Sequence, residues 1–104
     1  MNTANRGRGE ASFTVGGTEL LLRPSFAALV AAEEELGPLF ALVERAADGQ
    51  LGIGEMASLF FHCAAERPDG VTRERIGQAI AENGLAKATP VLRVLLTQIL
   101  QGRV

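Results

Sequence analysis

The sequence predicts a mainly helical α+β domain, in which one N-terminal β-hairpin is followed by about five short helices. Three observations favour this fold class. Apolar and polar residues alternate only before Pro24, apolar residues recur at helical spacing after it, and 104 residues suffice for one hydrophobic core but not for two. We expect a flexible arm over residues 1–10 and a single domain over residues 11–104.

The hairpin is predicted from the alternation on either side of a glycine pair. Ala11, Phe13 and Val15 alternate with polar residues, and the chain returns as a second strand over residues 19–23. The glycine pair at 16–17 can adopt the positive backbone dihedrals that a two-residue turn needs. Since a lone hairpin is marginally stable in water, a helix must cover it.

Five helices are predicted from capping residues, helix breakers and apolar spacing. Ser25 and Thr72 are the expected N-caps of the first and fourth helices, and Gly37 is expected to end the first. The predicted ranges are 26–36, 39–48, 53–66, 73–83 and 89–101.

Composition excludes several classes of function. Ten Lys and Arg against twelve Asp and Glu give a formal charge of -2, which provides no general attraction to nucleic acid. Neither an apolar signal-peptide core nor a run of about 18 apolar residues is present, so we expect no membrane association. A single cysteine, Cys63, forms no intrachain disulfide and fits a reducing compartment. We therefore expect a cytoplasmic protein.

No residue pattern predicts a metal site, a cofactor site or catalysis. His62 and Cys63 are adjacent, so on a helix they point about 100° apart and do not jointly hold one ion. The segment 44–55 has the outline of a calcium loop, but Ala46 offers no oxygen at the third position. The glycines of that segment are not followed by the Lys-Ser/Thr ending of a phosphate-binding loop.

The last helix carries apolar residues around more of its circumference than docking on one core requires. One interpretation is a central helix surrounded by the others. The other is a partner-binding surface that includes Val94, Leu95, Ile99 and Leu100. Segment 70–96 also has the outline of a helix-turn-helix, but its second helix carries few side chains able to read base edges.

Glu33 interrupts an otherwise apolar face of the first predicted helix. It follows Leu29 by four residues and Val30 by three, whereas Glu34 and Glu35 point elsewhere. Because a buried carboxylate must be paired, we expect a structural contact with Arg23, with Arg45 or with backbone amides at a helix start. Partner binding is the alternative. The structural contact predicts that Glu33 matters more to stability than Glu34 or Glu35.

One string of residues resembles a known group of proteins. It is defined by the order and spacing of Phe26, Leu29, Glu33, Leu36 and Gly37. Preceded by a hairpin and an "NRGRGE" leader, the string is similar to the small tail proteins of gene transfer agents and related siphophage-like tails, often grouped with tail assembly chaperones. Segments 48–51, 55–64 and 71–85 extend the resemblance over most of residues 5–100.

The resemblance implies a non-enzymatic, cytoplasmic protein of tail morphogenesis without a cofactor. Its expected partners are the tape measure protein and tail tube proteins, bound before assembly. Since one hairpin supplies too few strands for a tube ring, an assembly chaperone is the preferred prediction. The alternatives are a structural tail tube or connector component that forms homo-oligomers and, as a minor one, a small helix-turn-helix regulator.

Overall fold

A two-stranded antiparallel hairpin begins the fold, and five helices follow it in sequence. The structure is a computed structural model that describes residues 10–102. Its elements are β1 (Ala11–Val15), β2 (Thr18–Leu22), α1 (Phe26–Leu36), α2 (Leu39–Ala47), α3 (Ile53–Cys63), α4 (Arg73–Asn83) and α5 (Leu85–Gln101). The predicted α+β, mainly helical fold class is confirmed.

The hairpin turns at the glycine pair, as predicted. Gly16 and Gly17 have φ of 54° and 82°, values that side chains disfavour, and the strands pair from Val15↔Thr18 to Ala11↔Leu22. The alternating residues Ala11, Phe13 and Val15 are buried. The hairpin therefore presents one apolar face to the helices.

Helix α3 is the central element of the core. Its residues 56–60 are all buried, and it packs against both α1 and α4. Phe60 meets Phe13 of the hairpin edge to face, with ring centroids 5.3 Å apart. Ile76 of α4 and Leu95 of α5 are completely buried in the same core, so sheet and helices share one apolar interior.

The predicted caps of α1 and α4 are present. The Ser25 hydroxyl accepts a hydrogen bond from the Ala28 amide at 3.2 Å, and the Thr72 hydroxyl accepts one from the Arg75 amide at 3.2 Å. Gly37 ends α1 with φ of 90°. Local sequence signals thus set these helix ends.

Helix α3 ends at Cys63, three residues before the predicted end at Glu66. Ala64 leaves the helix in an extended conformation and forms a bridge to Leu22. The Ala65 amide donates to the Leu21 carbonyl at 2.8 Å. Hydrogen bonding to the β2 edge therefore replaces the last helical turn.

Helix α5 begins at Leu85, several residues before the predicted start near Thr89 and Pro90. Pro90 lies inside the helix and has no amide hydrogen for the carbonyl four residues earlier. The Thr89 hydroxyl donates to the Leu85 carbonyl at 2.7 Å, and Ala88 is buried beside them. The prediction treated proline as a boundary, whereas tertiary packing extends the helix across it.

The predicted arm, residues 1–10, falls almost entirely outside the described residues, which begin at Glu10. Glu10 itself belongs to the folded part of the chain. It is 3% exposed, and its carboxylate accepts a hydrogen bond from Arg23 Nε at 2.7 Å. The first strand is thus tied at its start to the end of the second.

Candidate protein-interaction surfaces

Large apolar side chains remain exposed on several helices. Among residues 10–102 they are Phe26, Val30, Phe40, Ile53, Leu85 and Leu100. Phe26 is 85% exposed and Phe40 79% exposed, which is unusual for phenylalanine. Contiguous exposed apolar area marks interaction sites, so these residues are candidates for a protein-binding surface.

The buried face of α1 is not the one that the sequence predicted. Ala28 and Ala32 are buried, whereas Phe26, Val30 and Glu33 face solvent. The face assignment was wrong because it gave large apolar residues priority. Helix α1 instead meets α3 through small alanine side chains, which let two helices approach closely.

The other residues of the α1 motif have separate roles. Leu29 is half-buried, and Leu36 packs partly buried against the core. Gly37 provides the positive φ that ends the helix. The motif is therefore divided between core packing, helix termination and an exposed face.

Glu33 makes one of the contacts predicted for it, although it is exposed. Its Oε2 accepts a hydrogen bond from the Leu39 amide at 3.0 Å, at the start of α2. The other predicted partners are engaged elsewhere, because Arg23 pairs with Glu10 and Arg45 with Glu55. Glu33 thus satisfies one free amide of α2, as carboxylates at helix N-termini do.

Glu35, and not Glu33, is the carboxylate that connects helices. It accepts hydrogen bonds from Ser58 Oγ at 2.9 Å and from His62 Nε2 at 2.7 Å, and it pairs with Arg73 at 2.7 Å. These contacts join α1 to α3 and to the start of α4. No role for Glu35 was predicted from the sequence, since its partners lie far away in sequence and no local spacing reveals them.

The electrostatics of this cluster favour the ionised carboxylate. The hydrogen bond from His62 is the largest influence lowering the pKa of Glu35 below its ordinary value, and desolvation opposes it. The Ser58 hydrogen bond and the charge of Arg73 lower the pKa further. The arrangement is a structural clamp in which the imidazole of His62 is already occupied.

An open cleft of about 320 Å³ lies beside this clamp, between α1 and the end of α3. Its basic lining residues are all engaged in other contacts. Arg23 pairs with Glu10, and His62 with Glu35. Arg67 donates to the Phe61 carbonyl at 3.2 Å and stacks on that ring at 4.3 Å. The cleft therefore presents few uncommitted groups to a ligand.

Cys63 is a core residue. It is 1% exposed, and burial raises the pKa of its thiol to about 12, so the thiolate form that a nucleophile requires is disfavoured. Among the described residues, no group of three or more His, Cys, Asp or Glu side chains is placed to hold a metal ion.

Helix α5 divides the residues predicted to bind a partner. Leu95 is fully buried, so its assignment to an exposed face was wrong. Val94 is half-buried, and Ile99 packs partly buried against the core. Leu100 alone of the four is exposed, at 57%. The alternative interpretation was a central helix surrounded by the others. One side of α5 is buried in this way, and the other side is not.

A different row of residues on α5 borders an open groove, and its accessible members are Leu96 and Leu100, because Leu92 is buried. Leu92, Leu96 and Leu100 recur every four positions and line one wall of a groove between α5 and α2. Val43, Ala46 and Ala47 line the opposite wall. The groove has a volume of about 320 Å³, and we call it the α2/α5 groove.

Arg93 lies on the lining of the α2/α5 groove. It is exposed, and it makes no ion pair with any residue of the described range 10–102. Apolar walls with a cation beside them suit an amphipathic helix that carries a carboxylate. The groove is thus the strongest candidate for protein binding.

Comparison with known proteins gives the family. The model of a family described as "Phage tail tube protein, GTA-gp10" matches residues 8–102. The chain belongs to this family. The match covers the hairpin and all five helices, so the family relationship concerns the whole described fold.

Membership of the GTA-gp10 family confirms the predicted resemblance to gene transfer agent tail proteins. The family description names a tail tube protein and makes no mention of a chaperone. No curated protein and no solved structure matches the chain. Within residues 10–102, no helix combines the length and apolar content needed to cross a bilayer.

Proposed function

We propose that the chain is a non-enzymatic structural component of a phage-like tail, at the tail tube or its connector, and that it assembles with further copies of itself. The observation that carries this proposal is the match of residues 8–102 to a tail tube family. This was the alternative prediction from sequence, and the family description supports it better than the chaperone.

The surfaces of the molecule support a role in assembly. A subunit within a tube or connector needs at least two separate contact surfaces, one for each neighbour. The chain has the α2/α5 groove on one pair of helices and the exposed Phe26 and Val30 on another helix. Such apolar surfaces are typical of proteins that are covered by partners.

An assembly chaperone that binds tape measure and tail tube proteins is the second candidate. Two observations favour it. The only sheet among residues 10–102 is the two-stranded hairpin, which offers few strands for a shared tube wall. The helix-lined α2/α5 groove also fits helix-in-groove binding of a long helical partner.

Quantification of the protein in finished particles distinguishes these functions. Particles are purified from a producing culture, and the chain is measured by mass spectrometry relative to a capsid protein in both lysate and particles. A tail component is enriched with the particles in several copies. An abundant host enzyme measured alongside sets the level of carry-over.

The outcomes are distinct. Enrichment equal to that of the capsid protein supports the structural role. Loss of the chain to the carry-over level, while a pull-down of the tape measure protein succeeds, contradicts that role and favours the chaperone. Normal particle assembly in a strain lacking the gene contradicts both functions.

A further inference from the structure

We propose that the exposed face of α1 in one copy of the chain binds in the α2/α5 groove of the next copy. The inference rests on the proposed self-assembly and names the two surfaces that perform it.

The α1 face consists of Phe26, Val30 and Glu34. Phe26 is 85% exposed and Val30 is 40% exposed, and at a spacing of four residues they are neighbours on the helix surface. Glu34 continues the row by another four residues. It is exposed, and its carboxylate has no hydrogen bond or ion pair with any residue from 10 to 102.

The groove offers a row of similar length, with spacings of four and then three residues. Leu100 and Leu96 are its apolar positions, and Arg93 lies near the other end without an ion pair in the described part of the chain. The small residues Ala46 and Ala47 on the α2 wall leave room for a bulky side chain. A phenylalanine ring is such a side chain.

An antiparallel arrangement matches both rows along their length. At 1.5 Å per residue, Phe26 and Glu34 are separated by about 12 Å along α1, and Leu100 and Arg93 by about 10.5 Å along α5. Placing Phe26 beside Leu100 therefore brings Glu34 close to Arg93. The apolar residues then bury each other while the carboxylate meets the guanidinium.

The two surfaces are different, so the contact is head-to-tail. Each copy that binds through α1 still has an open groove, and each that binds through its groove still has an open α1 face. Such contacts generate rings when the rotation closes and filaments when it does not. Both results suit a subunit of a tube or connector.

Four single variants form two matched pairs that test the contact. Val30→Asp alters the α1 face, and Ile53→Asp is its control, because these β-branched residues are 40% and 43% exposed. Leu100→Asp alters the groove, and Leu85→Asp is its control, because these leucines of α5 are 57% and 54% exposed. Circular dichroism and urea unfolding establish that each variant is folded.

Self-association is measured by sedimentation velocity over a series of concentrations. We expect Val30→Asp and Leu100→Asp each to weaken self-association by roughly tenfold or more, and the two controls to behave like the wild type. Mixing Val30→Asp with Leu100→Asp restores one intact contact, so the mixture forms a one-to-one dimer that grows no further. The double exchange of Glu34→Arg with Arg93→Glu restores the association that either change alone weakens.

Four results overturn the proposal. A wild-type chain that is monomeric at millimolar concentration has no such contact. If a variant and its control lose self-association equally, the contact does not lie on the assigned surface. If the mixture of Val30→Asp and Leu100→Asp stays monomeric while the wild type assembles, the interface is not head-to-tail. If the groove binds a helix of the tape measure protein and does not bind α1 of a second copy, the assignment of α1 to the groove is wrong. The particle measurement is independent of all of these, so the role as a tail component and the proposed contact fail separately.

Discussion

Removal of the Glu35 carboxylate should destabilise the protein, whereas removal of the adjacent Glu34 carboxylate should not. Glu35→Ala leaves the hydroxyl of Ser58 and the imidazole of His62 without their acceptor. Ser58 is 7% exposed and the His62 side chain 12% exposed, so water replaces that acceptor poorly. Arg73, with a side chain 47% exposed, regains water more readily.

The expected magnitude follows from these exposures. A buried polar group left without a partner costs about 1–3 kcal/mol, and the partial exposure of Glu35 reduces this to about 1–2 kcal/mol. Glu34→Ala is the matched control, since it makes the same chemical change at an exposed position of the same helix, and it should stay within about 0.5 kcal/mol of the wild type. Urea unfolding measures the difference as a fall of about 0.5–1.5 M in the midpoint for Glu35→Ala.

The same pair of variants has a defined pH dependence. Because the folded state lowers the pKa of Glu35, its contribution is fully present above the ordinary carboxyl pKa and is lost as the pH falls through the lowered value. The stability gap between the wild type and Glu35→Ala should therefore close in acid. Equal midpoints for Glu35→Ala and Glu34→Ala at neutral pH would refute the clamp, and a gap that persists unchanged in strong acid would refute its electrostatic origin.

Three further predictions concern the core and the glycines. Cys63 should resist a thiol reagent at pH 8 in the native protein and react quickly in urea, because only unfolding exposes it; rapid native labelling would contradict its burial. Leu95→Asp should abolish cooperative thermal unfolding, whereas Leu100→Asp should retain the wild-type circular dichroism spectrum, since the first is fully buried and the second 57% exposed. Gly77→Ala should raise the free energy of unfolding by about 0.5–1 kcal/mol, because the new methyl group lies at an ordinary contact distance of 3.6 Å from the methyl group of Ala57 in α3. Gly84→Ala should lower the free energy of unfolding, because φ at this position is 93°. A Gly84→Ala variant more stable than Gly77→Ala would contradict these backbone conformations.

Local signals in the sequence were sufficient for the order of the elements. The glycine pair at 16–17 fixed the hairpin turn, and the caps Ser25 and Thr72 fixed two helix starts within a residue. Each of these signals acts over a few residues, so the surrounding fold hardly changes its meaning. The fold class was therefore predictable from the sequence alone.

The wrong predictions concern choices that only tertiary packing makes. Helical periodicity puts Phe26 and Glu33 on one face and Ala28 and Ala32 on another, but it does not say which face is buried. Close packing against α3 favours the alanines. The end of α3 and the start of α5 depend likewise on contacts with β2 and with the core.

The candidate site was only partly predictable. An excess of apolar residues on α5 correctly directed attention to that helix, and Leu100 is part of the α2/α5 groove. The groove that Leu92, Leu96 and Leu100 border was not predicted, because it depends on where α2 lies. A spacing of four residues between leucines was the signal available in the sequence, and it also fits a buried stripe.

Two backbone hydrogen bonds between the end of α3 and the edge of β2 make the stability of the hairpin dependent on a distant segment. The Arg23 amide donates to the Cys63 carbonyl at 2.7 Å, and the Ala65 amide donates to the Leu21 carbonyl at 2.8 Å. A two-stranded hairpin gains little stability alone, so its strands become protected only when α3 has formed and docked. We therefore expect opening of the hairpin and fraying of the end of α3 to be one cooperative event, in which the amides of both segments share a single free energy of exposure to solvent exchange.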